Sequence, residues 1–160
     1  MTKQAILLTC RRSLIALALL TGVSAAVALA SCGDDGKQIS FVDVPMTEWE
    51  ITPEVTSVPA GEVRFTTTNA GTLSHELVII KTGLPPNQLP TMEDGSADED
   101  RMEAIGRVRA VTPGAFERAT LTLDPGRYAL ICSIVDAPGG ESRSHYQLGM
   151  HTAFTVFAGR

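Results

Sequence analysis

The chain of 160 residues suits one ordinary domain and is too short for a two-domain catalytic machine. With 13 Lys+Arg against 18 Asp+Glu and a formal charge of −5, it has no basic cluster for nucleic acid. Three cysteines are too few for a disulfide scaffold, and three histidines (His75, His145, His151) leave little for imidazole-rich chemistry.

Lys3, Arg11 and Arg12 precede 19 consecutive uncharged residues, Ser13 to Ser31, with an apolar stretch at Leu14 to Leu20. This is the layout of an export signal. Leu29-Ala30-Ser31-Cys32 resembles a bacterial lipobox, whose cysteine is lipidated and becomes the new N-terminus. Arg11-Arg12-Ser13-Leu14-Ile15 resembles a twin-arginine export signal. The expected organisation is a signal peptide over 1–32, a tether over 33–38 and a domain over 39–160. An uncleaved anchor is the alternative, because 19 uncharged residues can just span a bilayer. In either case the basic residues stay inside, which places the domain on the extracytoplasmic side, in a periplasm or at a cell surface. All 18 acidic residues lie beyond Cys32, with only 10 of the 13 basic ones.

From residue 39 the chain reads as strands. Ile39 to Val44 alternates apolar and polar, and Trp49 to Ile51 alternates again. Val55 to Val58 stops at the turn signal Pro59-Ala60-Gly61. Val63 to Thr68 is rich in β-branched and aromatic residues. Asn69-Ala70-Gly71 punctuates it, and Glu76 to Ile80 resumes. Pro85 to Pro90 then opens an insertion carrying Glu93, Asp94, Asp98, Glu99, Asp100 and Glu103. A short helix over Asp98 to Ile105 is expected there, on a solvated acidic loop. A calcium loop would need an alternation of ligands that is absent; a docking patch for a basic partner is the other reading. Thr120 to Leu123 closes on Asp124-Pro125-Gly126, and Tyr128 to Ile131 and Ala153 to Phe157 complete the set. Short strands with Gly/Pro turns predict an all-β antiparallel sandwich or barrel.

The chemistry-bearing residues lie in two pieces. His75 sits where the turn after Asn69 re-enters a strand; taken alone, such a histidine is more often structural than a ligand. Cys132 ends the Tyr128 strand, and after twelve intervening residues come His145-Tyr146-Gln147-Leu148-Gly149-Met150. If Cys32 is lipidated, Cys132 is the only thiol of the exported domain and has no disulfide partner there. Burial as a small apolar residue would explain it. Copper explains it together with its neighbours: two imidazoles, a thiolate and a weak axial thioether make a blue-copper donor set.

The series Asn-x-Gly-x-x-x-His-Glu-Leu, Tyr-x-x-x-Cys and His-x-x-x-Gly-Met, with Pro59 to Phe65 before it and a closing strand after, resembles the cupredoxins. The resemblance covers roughly Ile39 to Ala158. It implies a cupredoxin-like Greek-key β-sandwich with one acidic insertion. It also implies one copper ion cycling between Cu(II) and Cu(I), held by His75, Cys132, His145 and Met150. Glu76 would make a hydrogen bond pinning the ligand loop to the His75 strand. The function implied is that of a monomeric one-electron carrier between unidentified redox proteins, tethered to the membrane by lipid at Cys32. The twelve-residue Cys132-to-His145 spacing departs from the short loops common in the family, although loop length costs little entropy. His151 competes with His145, but would leave no methionine downstream for the axial place. Trp49, the only tryptophan, reads as core.

Counting weakens the enzyme alternatives. A binuclear electron-transfer site needs two cysteines in the loop, a multicopper oxidase needs many more histidines, and no Gly-x-Ser-x-Gly elbow is present. A copper chaperone or storage protein using the same ligands, and a metal-free adhesion sandwich, are the remaining classes.

Overall fold

The computed structural model describes residues 38–159; the expected signal peptide, Cys32 and most of the tether lie outside the described residues. The first strands are β1 (Ile39–Thr47), β2 (Glu50–Ile51), β3 (Ser57–Pro59), β4 (Gly61–Asn69) and β5 (His75–Lys81). They are followed by β6 (Glu103–Val111), β7 (Phe116–Leu123), β8 (Gly126–Ile131), β9 (Val135–Asp136), β10 (Arg143–Ser144) and β11 (His151–Phe157). Two sheets form, ordered β2-β1-β4-β7 and β3-β11-β8-β5-β6, with β9 and β10 as a separate hairpin.

The expected all-β sandwich is therefore what the chain builds, with one refinement: its pairing is mixed. β1 is parallel to β4 and β3 is parallel to β11, while the other pairs are antiparallel. The reason is the path. After β1 and β2 the chain crosses to give β3 to the other sheet, then returns as β4 beside β1. A tight hairpin can join only antiparallel strands, and this excursion supplies the crossover that a parallel pair needs.

Alternation drives the packing. Val42, Val44 and Met46 of β1 and Val63 and Phe65 of β4 face inward, against Leu77, Ile79, Leu130, Phe154 and Val156 of the other sheet. The Phe65 and Phe154 rings meet edge to face, with centroids 5.6 Å apart. Full burial of each such side chain contributes roughly 1.5–3 kcal/mol.

The helix expected over Asp98 to Ile105 is only a single 3-10 turn, Glu99–Arg101, and β6 follows at once. β6 pairs with β5 as an edge strand. Without it the β5 edge would be left unpaired, and that ladder outweighs the helix preference of a few acidic residues. The insertion is also not a free solvated loop. Its acidic side chains Glu93, Asp94 and Asp100 face solvent, but Leu89 and Ala97 are buried against Val78, Ile80, Ala129 and Ile131. It thus covers the outer face of β5 and β8, so those strands are buried on both sides.

The same topology prepares one end of the second sheet. β8 lies antiparallel to both β5 and β11, with Ile131 opposite Val78 on one side and His151 on the other. The residue after β8, Cys132, therefore emerges beside the start of β5 and the start of β11. The loops after β1 and β4 reach the same end, because Met46 is in register with Asn69.

Candidate metal centre

Three side chains converge where those ends meet. The ligand-type atoms of His75, Cys132 and His145 all lie within 4.8 Å of one another, and all three residues are fully buried. Nδ1 of His75 is 3.2 Å from Nδ1 of His145, and Sγ of Cys132 is 3.4 Å from that same His145 Nδ1. Met150, also fully buried, belongs to the same apolar cluster as Cys132.

Each of these residues is fixed by backbone structure. His75 opens β5 opposite Val111. A circuit of main-chain bonds ties the rest: Cys132 N–H donates to Met150 O (3.0 Å), Met150 N–H to His145 O (3.0 Å) and His145 N–H to Ile134 O (2.9 Å). Gly149, at φ +121°, closes this circuit in a conformation that side-chain-bearing residues rarely adopt. A Cβ there would also stand 3.1 Å from the Trp49 carbonyl.

The far edges of both imidazoles face carboxylates. Nε2 of His145 is 2.8 Å from Asp136 Oδ2. Nε2 of His75 is 3.7 Å from Glu48 Oε1, without a hydrogen bond of its own. With the ring protons on Nε2, two Nδ1 lone pairs and a sulfur would face one another in a dry interior. Without a metal, the Cys132 S–H can donate to one of those nitrogens; a soft cation that displaces this proton could accept all three. Burial, with the neighbouring His145 second, lowers the His75 pKa and favours the neutral ligand form. Burial pushes the Cys132 thiol up to about 11, so a metal must displace its proton. Two imidazole nitrogens with one cysteine sulfur suit a copper ion, and main-chain bonds tie Met150 to Cys132 and His145.

His151 takes no part in this cluster; its half-buried ring packs against Tyr146, with centroids 5.4 Å apart. Glu76 meets the ligand loop twice. Its backbone N–H donates to Cys132 Sγ (3.4 Å), and its carboxylate faces the Ser133 N–H and Arg107. Burial raises that carboxyl's pKa despite the arginine.

Several residues here escaped the sequence reading. Trp49 is more than core. At φ +68° it turns the chain after β1, and its half-buried ring sets an edge against His145, with centroids 5.2 Å apart. Tyr146 fastens the ligand loop to the insertion: its hydroxyl accepts from Leu89 N–H (2.8 Å) and donates to Pro86 O (2.9 Å). Ser144 Oγ donates to Gly95 O (2.6 Å), and Ala97 N–H donates to Ser133 Oγ (3.2 Å). The acidic insertion is a splint for the ligand loop.

Glu48 does for His75 what the insertion does for His145. Its carboxylate accepts from the backbone N–H groups of Thr72 (2.6 Å) and Leu73 (2.8 Å), just before His75. Those bonds, Leu73 first, hold its pKa down to about 2 from 4.5. A carboxyl depressed on folding stabilises the fold above its unfolded pKa and loses that contribution as pH falls through the folded one. Glu48→Gln should therefore flatten the decline in melting temperature between about pH 5 and about pH 2. A decline as steep as the wild type's would reject this role.

No family model and no curated protein matches the chain. Solved structures resemble it. Sodium-dithionite-reduced auracyanin from the photosynthetic bacterium Roseiflexus castenholzii aligns at 25% identity and TM-score 0.49, covering 76% of this chain and 98% of that one. Auracyanin A, a "blue" copper protein from the green thermophilic photosynthetic bacterium Chloroflexus aurantiacus, aligns at 21% identity and TM-score 0.49, covering 74% and 99%. Rusticyanin from Thiobacillus ferrooxidans aligns at 19% identity and TM-score 0.48, covering 74% and 77%. The chain's own strand order gives a β-sandwich, and its convergent His75, Cys132 and His145 give a buried His-Cys-His cluster able to hold a metal ion.

Proposed function

We propose that the protein is a one-electron carrier built on a single type-1 copper ion, with His75, Cys132 and His145 as the trigonal ligands and Met150 as the weak axial one. The convergence of two Nδ1 atoms and one Sγ in a fully buried site carries this reading. A site closed on all sides offers no position for a substrate, which favours electron transfer over catalysis. The backbone circuit through Cys132, Met150 and His145 favours it too. Ligands held by main-chain bonds would move little if a bound copper changed oxidation state, which would keep reorganisation small. Transfer or storage of copper would instead require this closed site to open.

The charge layout around Ser13 to Ser31 supports export to the extracytoplasmic side, and Leu29-Ala30-Ser31-Cys32 supports a lipid anchor at Cys32; there the domain would work as a monomer among other redox proteins. Two measurements test these readings. Stoichiometric Cu(II) added to the purified domain should give intense visible absorption that a reductant bleaches reversibly; a colourless domain would overturn the copper assignment. Mass spectrometry of membrane-extracted protein should find an acylated N-terminal Cys32, and an unmodified Cys32 would overturn the anchor.

A further inference from the structure

Twelve residues separate Cys132 from His145, yet the β9–β10 hairpin nearly cancels that length. Its tip turns on Gly139 (φ +70°) and Gly140 (φ +91°), and it returns with Val135 opposite Ser144 and Asp136 opposite Arg143. Because His145 N–H bonds to Ile134 O at 2.9 Å, His145 lies in space where a direct continuation from Ile134 would put it. A much shorter connection would deliver the same imidazole. What the hairpin adds is cargo, namely Asp136, whose carboxylate oxygen stands 2.8 Å from His145 Nε2. Arg143, the cross-strand neighbour of Asp136, lies instead over the Trp49 ring, 6.0 Å from its centroid.

We propose that Asp136 is a positioning residue: its carboxylate fixes the Nδ1 lone pair of His145 toward the metal and biases the bound copper toward Cu(II). This rests on the copper reading above. Accepting the Nε2–H leaves Nδ1 free to ligate and makes the imidazole a better donor. Reduction, Cu(II) plus one electron from a redox partner giving Cu(I), removes one positive charge from the centre. A fixed anion one imidazole away therefore stabilises the oxidised form more than the reduced form and lowers the potential. Asp136 is about one-third exposed (32%), which moderates the effect, whereas His145 itself is shielded from water.

The test compares copper-loaded wild type, Asp136→Asn and Asp136→Ala by potentiometric titration. Asparagine keeps the size and an acceptor oxygen but loses the charge. Both variants should keep the visible band. Their preference for Cu(II) over Cu(I) should fall about tenfold, which for a one-electron couple is a rise of about 59 mV. A change below about threefold in both would overturn the proposal. Nitrogen NMR of the metal-free wild type gives a readout that needs no variant: His145 should carry its proton on Nε2, and a proton on Nδ1 would overturn the positioning role. A wild type that stays colourless with Cu(II) would instead remove the copper assignment, leaving the tautomer result to decide the Asp136–His145 pairing.

Discussion

Cys132→Ser should abolish the visible colour of the copper-loaded protein. The intense absorption of such a centre is charge transfer from thiolate sulfur, and a serine hydroxyl is harder and far less readily ionised. The structure adds a second signature. Burial pushes the Cys132 thiol up to about 11, so near neutral pH the metal-free site holds the proton, which copper must expel. The neighbouring ligand His75 has a lowered pKa and is neutral already. Wild type should thus release about one proton per copper bound, with apparent affinity rising about tenfold per pH unit near neutrality. Cys132→Ser should lose the colour and the proton release together. Calorimetry in buffers of different ionisation enthalpy measures the second. Colour surviving the substitution would remove Cys132 from the site.

The donors were legible because the sequence offers so few of them. One thiol beyond Cys32, with one histidine and one methionine downstream in a single loop, leaves few alternatives, and the structure places His75, Cys132 and His145 together while leaving His151 aside. The residues around the donors were not legible, because their roles depend on distant contacts. Nothing in the sequence joins Trp49 to His145 or Glu48 to Leu73; parallel pairing of β1 with β4 brings the second pair together, and the meeting of the loop after β1 with the loop before β11 brings the first. Asp136 was hidden because the two-residue strands β9 and β10 are too short to show alternation.

The strands divide the same way. β1 and β4 have one face in the core and show it as alternation. β6 is an edge strand with most of its side chains exposed, and its arginines and lone buried Val108 and Val111 give a faint pattern. Nearby acidic residues suggested a helix instead. The sequence does carry a signal for the cover over β5 and β8. Leu77-Val78-Ile79-Ile80 and Tyr128-Ala129-Leu130-Ile131 are continuous apolar runs, which is how strands buried on both faces read. They imply a cover on the outer face, and the acidic insertion, otherwise read as solvated, is that cover.

Asn69→Ala should destabilise the domain by about 3 kcal/mol, roughly 10 °C in melting temperature, and weaken copper binding with it. Asn69 ends β4 almost wholly buried, and its amide satisfies three backbone groups. Nδ2 donates to Leu73 O and to Val111 O, each at 2.7 Å, and Oδ1 accepts from Gly71 N–H at 2.9 Å. Those contacts shape the turn that delivers His75 and tie it to the end of β6, where Val111 stands opposite His75. Alanine would leave two carbonyls without these donors, at about 1–3 kcal/mol each. Asn69→Asp separates chemistry from shape, because it keeps the size and the acceptor but turns a carboxylate oxygen toward the two carbonyls. It should be at least as damaging as alanine. Urea midpoints for the metal-free variants measure the fold, and copper titration measures the site. An Asn69→Asp protein within about 1 kcal/mol of wild type would show that these two hydrogen bonds do not hold the turn.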